Sequence, residues 1–108
     1  MTKVQEISVQ DYDALRASAD APALIDVRDP WEYELVHLGN AQLHPLGKLR
    51  DWAQALDKTL PYVVMCHHGG RSAMACQLLS ALGFQHVTNL DGGIDAWSAQ
   101  IDASLPRY

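Results

Sequence analysis

The segment MCHHGGRS, residues 65–72, holds side chains that could carry out nucleophilic chemistry. Cys66 is a potential nucleophile, and Arg71 carries a fixed positive charge on a planar group that suits an oxyanion. Between them, Gly69 and Gly70 permit backbone angles that other residues avoid. A sharp turn of this kind can direct successive backbone N–H groups inward and form an anion-binding nest. The segment therefore predicts a nucleophile beside an anion cradle.

The neighbouring residues place this loop between a strand and a helix. Residues 62–66 form an apolar run typical of a buried strand, and residues 71–84 have a helical pattern. A helix N-terminus offers unpaired N–H groups and a partial positive charge, so a thiol there is expected to ionise readily. We therefore predict Cys66 as the catalytic residue, with Arg71, Gly69 and Gly70 binding the substrate.

The two loop histidines, His67 and His68, leave alternatives open. They flank the sulfur and could contact the substrate with a side chain whose charge changes near neutral pH, or they could be neutral exposed residues. Because they are adjacent, their side chains are expected to diverge, and no CxxC or HxxxH spacing accompanies them. We therefore place them among the substrate-binding residues and predict no metal site.

The rest of the chain alternates between short apolar runs and helical patterns. Five strands are predicted from the apolar runs at residues 4–8, 23–27, 41–44, 62–66 and 86–90. Two helices are predicted to begin after the capping residues Ser8 and Asp29, and three further helical patterns cover residues 46–57, 71–84 and 94–101. Such alternation is typical of a parallel α/β sheet with helices on both faces. Ligands bind such sheets beyond the carboxyl ends of the strands, which is where Cys66 is placed.

Composition limits the classes of function. The 108 residues fit a single domain over residues 1–108, and a net charge of −5 argues against binding to nucleic acid or anionic membranes. No apolar run reaches membrane-spanning length and the N-terminus does not resemble a signal peptide, so we expect a cytoplasmic protein. Two cysteines do not indicate a disulfide scaffold.

The spacing of Cys66 and Arg71 narrows the chemistry. Four residues separate them, a C-x4-R pattern, whereas cysteine phosphatases use C-x5-R with a loop that encloses a phosphate group. The shorter loop makes a smaller cradle, which suits a single extra sulfur atom on the cysteine better than a tetrahedral phosphate.

Three segments in order resemble the rhodanese-like sulfurtransferases in their single-domain form: LIDVRDPWEYELVH, VVMCHHGGRSAMA and NLDGGIDAW, which together span residues 24–97. The resemblance implies a five-stranded parallel sheet with helices on both faces. It also implies that Cys66 takes a sulfane sulfur from a small anionic donor such as thiosulfate and becomes a persulfide. The sulfur then passes to a thiophilic acceptor, which is cyanide, a thiol or a protein. The reaction needs no metal or organic cofactor.

The remaining candidates are given supporting roles. Asp26 and Arg28 follow a strand and are predicted to form an ion pair or loop clamp, and His37 is predicted to hold its turn by a hydrogen bond. Cys76 is expected to be a small buried apolar residue, although a resolving thiol is an alternative. Three further functions stay open: a sulfur-relay carrier fed by a protein donor, a phosphatase or arsenate reductase, and a non-catalytic interaction module.

Overall fold

The computed structural model describes residues 4–108, and its centre is a single sheet of five parallel strands. The strands are β1 (Gln5–Ile7), β2 (Ala23–Asp26), β3 (Ala41–Leu43), β4 (Pro61–Met65) and β5 (His86–Leu90), in the spatial order β1-β5-β4-β2-β3. The helices are α1 (Val9–Leu15), α2 (Pro30–Leu35), α3 (Leu49–Trp52), α4 (Gly70–Ala81) and α5 (Gly93–Gln100). The predicted five-stranded parallel α/β sheet is therefore confirmed.

Apolar side chains cover both faces of the sheet because β2 and β4 are buried on both sides. Neighbouring residues of each strand point to opposite faces, so Leu24 and Val63 join one core while Ile25 and Val64 join the other. The first core also contains Val9, Tyr12, Ile94 and Trp97 of α1 and α5, and the second contains Leu49, Ala75 and Leu79 of α3 and α4. Each face of the sheet thus carries its own pair of helices.

The carboxyl ends of the three inner strands meet at one edge of the sheet. In the register of β2 and β4, Asp26 lies opposite Met65, and the backbone N–H of Val27 donates to the Met65 carbonyl at 2.9 Å. Cys66 follows β4 directly, so it lies between the segments that follow β2 and β5. The fold therefore places the loop where a doubly covered parallel sheet binds its ligands.

Residues 46–57 differ from the amphipathic helix expected there. They form a 3-10 turn at Leu46–Lys48, one turn of α-helix at Leu49–Trp52 and a second 3-10 turn at Ala53–Ala55. The backbone N–H of Leu46 is bonded to the Val27 carbonyl at the sheet edge, and Gly47 lowers helix propensity at the next position. The apolar spacing nevertheless predicts which side of this segment faces the core, because Leu49 and Ala53 are buried.

The other predicted helices begin and end within a few residues of the helices in the structure. Ser8 caps α1 by accepting the backbone N–H of Asp11, and Asp29 forms a capping box with Glu32 at the start of α2. Within residues 4–108, the longest helix is α4 with 12 residues, and no helix has both the length and the apolar character needed to cross a bilayer.

Candidate active site

The loop after β4 directs backbone and side-chain donors at the sulfur of Cys66. Gly69 has φ +108°, and its N–H donates to Cys66 Sγ at 3.1 Å. The hydroxyl of Ser72, in the first turn of α4, lies 3.3 Å from the same sulfur. Only 1% of Cys66 is exposed. The sulfur is therefore held in a small, largely enclosed turn at a helix N-terminus, a position whose unpaired N–H groups and partial positive charge suit an anion.

The two loop glycines have different structural roles, which corrects the expectation that both supply unusual backbone angles. Gly69 has the positive φ, whereas Gly70 does not and is the first residue of α4. A Cβ added at Gly70 would meet no atom within 4 Å. The turn therefore depends on Gly69.

A third glycine, Gly93, brings a second helix N-terminus against the loop. The first free N–H groups of α5, from Ile94 and Asp95, donate to the carbonyls of Cys66 and His67 at 3.0 and 3.1 Å. Gly93 has φ +59°, and a Cβ there would lie 2.3 Å from the Cys66 carbonyl oxygen. Such a distance excludes any side chain, so Gly93 allows α5 to fix the backbone of the loop that follows β4.

Ser72 joins the sulfur to a buried polar network that sequence reasoning missed. Its hydroxyl contacts Oδ1 of Asn89 on β5, and Asn89 Nδ2 donates to the Gly69 carbonyl at 3.1 Å. Asn89 Nδ2 also lies 3.1 Å from the carboxylate of Glu6 on β1. Ser72 and Asn89 are both buried. The network fixes the Ser72 hydroxyl beside the sulfur and ties the loop to two strands.

Arg71 forms a bidentate ion pair with Glu32 of α2. The two nitrogen–oxygen distances are 2.7 and 2.8 Å. The Glu32 side chain is only 4% exposed, while 38% of the Arg71 side chain remains exposed. Hydrogen bonds from Arg71, and then from Tyr108 and the Asp29 backbone, lower the pKa of Glu32 to about 2. The same carboxylate raises the pKa of Arg71, and the charge of a Cys66 thiolate adds to that shift. The Arg71 guanidinium is thus fixed in orientation by the Glu32 carboxylate.

Asp26 and Arg28 form a fully buried ion pair behind the loop. Arg28 Nη2 donates to Asp26 Oδ2 at 2.7 Å, and its other N–H groups reach the carbonyls of Glu32 and Val36. His37 Nδ1–H donates a 2.8 Å hydrogen bond to the Tyr33 carbonyl, and the His37 ring stacks on the Tyr33 ring. Arg28 therefore holds both ends of the turn that carries Glu32.

His67 and His68 do not diverge, and that part of the sequence-based expectation was wrong. Their rings stack with centroids 3.9 Å apart, because the two residues lie in a bend rather than an extended strand. Burial, and then the neighbouring His68, lower the pKa of His67, so this ring is neutral at pH 7. His68 is exposed, and its Nδ1 lies 3.7 Å from Asp95 Oδ2.

Ligand atoms of His67, His68 and Asp95 lie within 4.8 Å of one another. The Asp95 carboxylate already accepts two hydrogen bonds from Arg107, at 2.9 and 3.0 Å. The two imidazole rings stack at an interplanar angle of 30°. The Asp95 carboxylate is therefore already engaged by Arg107 beside the two stacked rings.

Tyr108 lies against the loop although nothing in its sequence position indicates it. Its hydroxyl donates to Glu32 Oε2 at 2.6 Å and accepts from Arg28 Nη1 at 2.9 Å. Its ring stacks on His67 with centroids 3.8 Å apart and planes 5° apart. No site role was predicted from the sequence for five of these residues: Glu32, Ser72, Asn89, Gly93 and Tyr108. Glu32 had only its place in the upstream segment as a signal.

Cys76 lies in α4 on the side of the core. It is a free thiol that is 1% exposed, and burial, with a smaller contribution from Glu6, raises its pKa to about 12. Cys76 therefore stays protonated at neutral pH, whereas Cys66 lies among hydrogen-bond donors.

Several known protein sequences and structures are similar to this chain. A family model described as a rhodanese-like domain matches residues 8–100. The thiosulfate sulfurtransferase GlpE of Pseudomonas fluorescens is 33% identical over 107 residues, which cover 99% of this chain and 96% of that protein. The crystal structure of a rhodanese-like domain protein from Staphylococcus aureus has a TM-score of 0.84 and 26% identity, and the match covers 97% of this chain and 99% of that one.

Longer proteins contain a similar segment. The adenylyltransferase and sulfurtransferase uba4 of Ogataea parapolymorpha is 34% identical over 110 residues, which cover 100% of this chain but 27% of that protein. The chain likewise spans 31% of a rhodanese-like/PpiC domain-containing protein of Arabidopsis thaliana, with 38% identity over 93 residues and 82% of this chain covered. Each of these two relatives is thus more than three times as long as the segment it shares.

Proposed function

The chain belongs to the rhodanese-like domain family, and we propose that it is a sulfurtransferase in which Cys66 carries a sulfane sulfur from thiosulfate or a similar anion to a thiophilic acceptor. One observation carries the proposal: Cys66 Sγ follows a central strand, the Gly69 N–H donates to it at 3.1 Å, and the Ser72 hydroxyl, which also donates to Asn89 Oδ1, lies 3.3 Å from it. A sulfur anion at this position is stabilised by fixed donors in a site with little water.

The reaction proceeds by two displacements. The Cys66 thiolate attacks the outer sulfur of thiosulfate, a new S–S bond forms, and the original S–S bond breaks as sulfite leaves with the bonding electrons. Cys66 is then a persulfide anion. A nucleophilic acceptor attacks the outer sulfur and releases the Cys66 thiolate, and cyanide as the acceptor yields thiocyanate. No electrons enter or leave the protein in either step.

Arg71 supplies positive charge to the donor anion. Its guanidinium is fixed by Glu32, yet more than a third of its side chain is exposed, so one edge remains available to solvent and ligand. A fixed planar cation lowers the free energy of a bound oxyanion without the loss of rotamer freedom that a mobile side chain would suffer.

The loop length supports sulfur over phosphate as cargo. The C-x4-R spacing makes a tight turn in which Gly69 N lies 3.1 Å from the sulfur. Inserting one glycine between Gly69 and Arg71 should enlarge the cradle and abolish sulfur transfer, with at most weak new affinity for phosphate or arsenate. Persistence of sulfur transfer at the wild-type rate would show that loop length does not select the cargo.

A sulfur carrier fed by a protein donor is the second candidate. The similarity to part of a longer protein that is both an adenylyltransferase and a sulfurtransferase favours this alternative, because sulfur transfer is combined there with another activity. A carrier would keep Cys66 and its loop but use thiosulfate poorly. We propose cytosolic thiols or proteins as acceptors in either case.

A comparison of donors tests the function. The purified protein is supplied with thiosulfate or with a persulfidated donor protein, and transfer to cyanide is followed as thiocyanate. We expect turnover with thiosulfate that disappears in Cys66→Ser and persists in Cys76→Ser. Uptake from the donor protein without thiosulfate turnover would favour the carrier, and hydrolysis of a phosphate ester without sulfur transfer would overturn both.

A further inference from the structure

Residues 102–108 return along α5 to the catalytic loop. Arg107 makes two hydrogen bonds to Asp95 in the first turn of α5, and Leu105 packs on the core shared by α1 and α5. These contacts deliver Tyr108 to the loop, where it meets both the segment after β2 and the segment after β4. Neither the double displacement nor the sulfur cradle described above uses this residue.

The Tyr108 hydroxyl connects two charged pairs. It accepts from Arg28, the partner of Asp26, and donates to Glu32, the partner of Arg71. Burial, and then the hydrogen bond to Glu32, raise the pKa of Tyr108 to about 12, so the hydroxyl keeps its proton across the physiological range. The Glu32 carboxylate that orients Arg71 is therefore itself held by Tyr108.

The Tyr108 ring covers the residue next to the nucleophile. It lies parallel to the His67 imidazole at 3.8 Å, and the edge of Trp31 contacts it at a centroid distance of 5.9 Å. His67 Nε2 is buried beneath this arrangement with no hydrogen-bond partner. The Tyr108 ring thus covers His67, whose neighbour in the chain, Cys66, is itself almost fully enclosed.

We propose that Tyr108 is a specificity-determining and positioning residue of this site. Its ring limits the size of the group that reaches Cys66, so that a small anion or thiol reaches the sulfur more readily than a bulky reagent does. Its hydroxyl fixes Glu32 and through it the orientation of Arg71. The second statement rests on the proposed function, whereas the first concerns only access to the Cys66 thiol.

Access is tested by alkylation in a Cys76→Ser background, where Cys66 is the one thiol. The probes are iodoacetamide and a fluorescein-linked iodoacetamide, which share a reactive group and differ in size. Tyr108→Ala should raise the rate ratio of the bulky to the small reagent about 3- to 10-fold, the range expected for loss of one aromatic contact. Tyr108→Phe keeps the ring and should leave the ratio within about twofold, while Tyr108→Leu serves if the alanine variant does not fold. An unchanged ratio in a folded Tyr108→Ala or Tyr108→Leu protein overturns the covering role.

Positioning is tested by thiosulfate kinetics of Tyr108→Phe. Loss of the hydroxyl should raise KM about 3- to 10-fold with kcat within about twofold, consistent with one or two lost hydrogen bonds. In an Arg71→Ala background the same substitution should leave KM unchanged, because the residue acts through Arg71. Tyr62→Phe removes a hydroxyl that bonds the Asp57 carbonyl and is the matched control.

An unchanged KM in Tyr108→Phe, or an equal rise in both backgrounds, overturns the positioning role. If the wild-type protein does not turn over thiosulfate at all, the proposed function has failed, and the alkylation ratio still decides whether Tyr108 covers the site.

Discussion

Replacing Arg71 by alanine should lower both the unfolding free energy of the protein and its affinity for the donor anion, and the contacts of Arg71 indicate the size of each effect. The substitution removes two charge-assisted hydrogen bonds, of 2.7 and 2.8 Å, from Glu32. The buried carboxylate would keep the Tyr108 hydroxyl and the Asp29 N–H as donors. Hydrogen bonds to charged groups contribute about 1.5–3 kcal/mol, and the partial exposure of Arg71 reduces this through solvent screening. We expect a loss of about 1–2 kcal/mol in unfolding free energy, or roughly 4–12 °C in Tm.

The effect on binding is separate from the effect on stability. Loss of the cation facing the donor should raise KM for thiosulfate about tenfold. Arg71→Lys keeps the charge but lacks the planar fork, so it should recover part of the KM and little of the Tm. Arg16→Ala is the control, because Arg16 pairs with Asp13 on an exposed surface and should change Tm by a few degrees at most and KM not at all. Thermal unfolding and steady-state kinetics measure the two effects. Wild-type Tm and wild-type KM together in Arg71→Ala would refute this reasoning.

The remaining predictions concern Gly93, Ser72 and Glu32, which contact the loop or Arg71. Gly93→Ala should destabilise the protein by several kcal/mol and abolish sulfur transfer, because the new Cβ would overlap the Cys66 carbonyl. Gly70→Ala is the control and should leave the unfolding free energy unchanged. Equal unfolding free energies of the two variants in urea would contradict this prediction. Ser72→Ala should slow sulfur transfer about 3- to 10-fold by removing a hydroxyl group near the sulfur. Ser80→Ala, on the same helix, is the control and should not slow it. Equal transfer rates in the two variants would exclude a role for the Ser72 hydroxyl. The Glu32 carboxyl has a pKa of about 2 in the folded protein against an ordinary 4.5, so its contribution to stability is complete above pH 4.5 and is lost as the pH falls toward 2. The difference in unfolding free energy between wild type and Glu32→Gln should therefore shrink as the pH falls over that range. A difference that stays constant would contradict the low pKa of Glu32.

The fold and the position of Cys66 at the end of a strand could be predicted from the sequence because local patterns determine them. The apolar runs of β2 and β4 are continuous, as expected of strands buried on both faces, and they alternate with helical patterns. Cys66, Gly69 and Arg71 lie within six positions of one another, so their proximity in space needed no knowledge of tertiary contacts.

The partners of these residues could not be predicted in the same way, because they come from distant parts of the chain. Glu32 is 39 positions from Arg71 and Tyr108 is 76 positions from Glu32, so only the folded topology brings them together. Gly93 matters because of a backbone approach between α5 and the loop that no pattern in NLDGGIDAW reports.

The orientation of His67 and His68 differs from the prediction because the two residues do not lie in a strand. Adjacent side chains point to opposite faces in a strand, but His67 and His68 lie in a bend after β4 and turn the same way. The structure of the bend depends on Gly69 and on the hydrogen bond between Asp95 N–H and the His67 carbonyl, neither of which the spacing of the histidines reveals.

The central claim is that Cys66 carries the sulfur, and mapping the modified thiol tests it most directly. The protein is incubated with thiosulfate, digested without reductant and analysed by mass spectrometry, with Cys66→Ser and Cys76→Ser treated in parallel. Cys66 lies among donors that stabilise a sulfur anion, whereas the pKa of Cys76 is raised to about 12 and keeps that thiol protonated. We predict one added sulfur atom on Cys66, its removal by cyanide, and the same result in Cys76→Ser. An added sulfur on Cys76, or transfer to cyanide by the Cys66→Ser protein, would contradict the account.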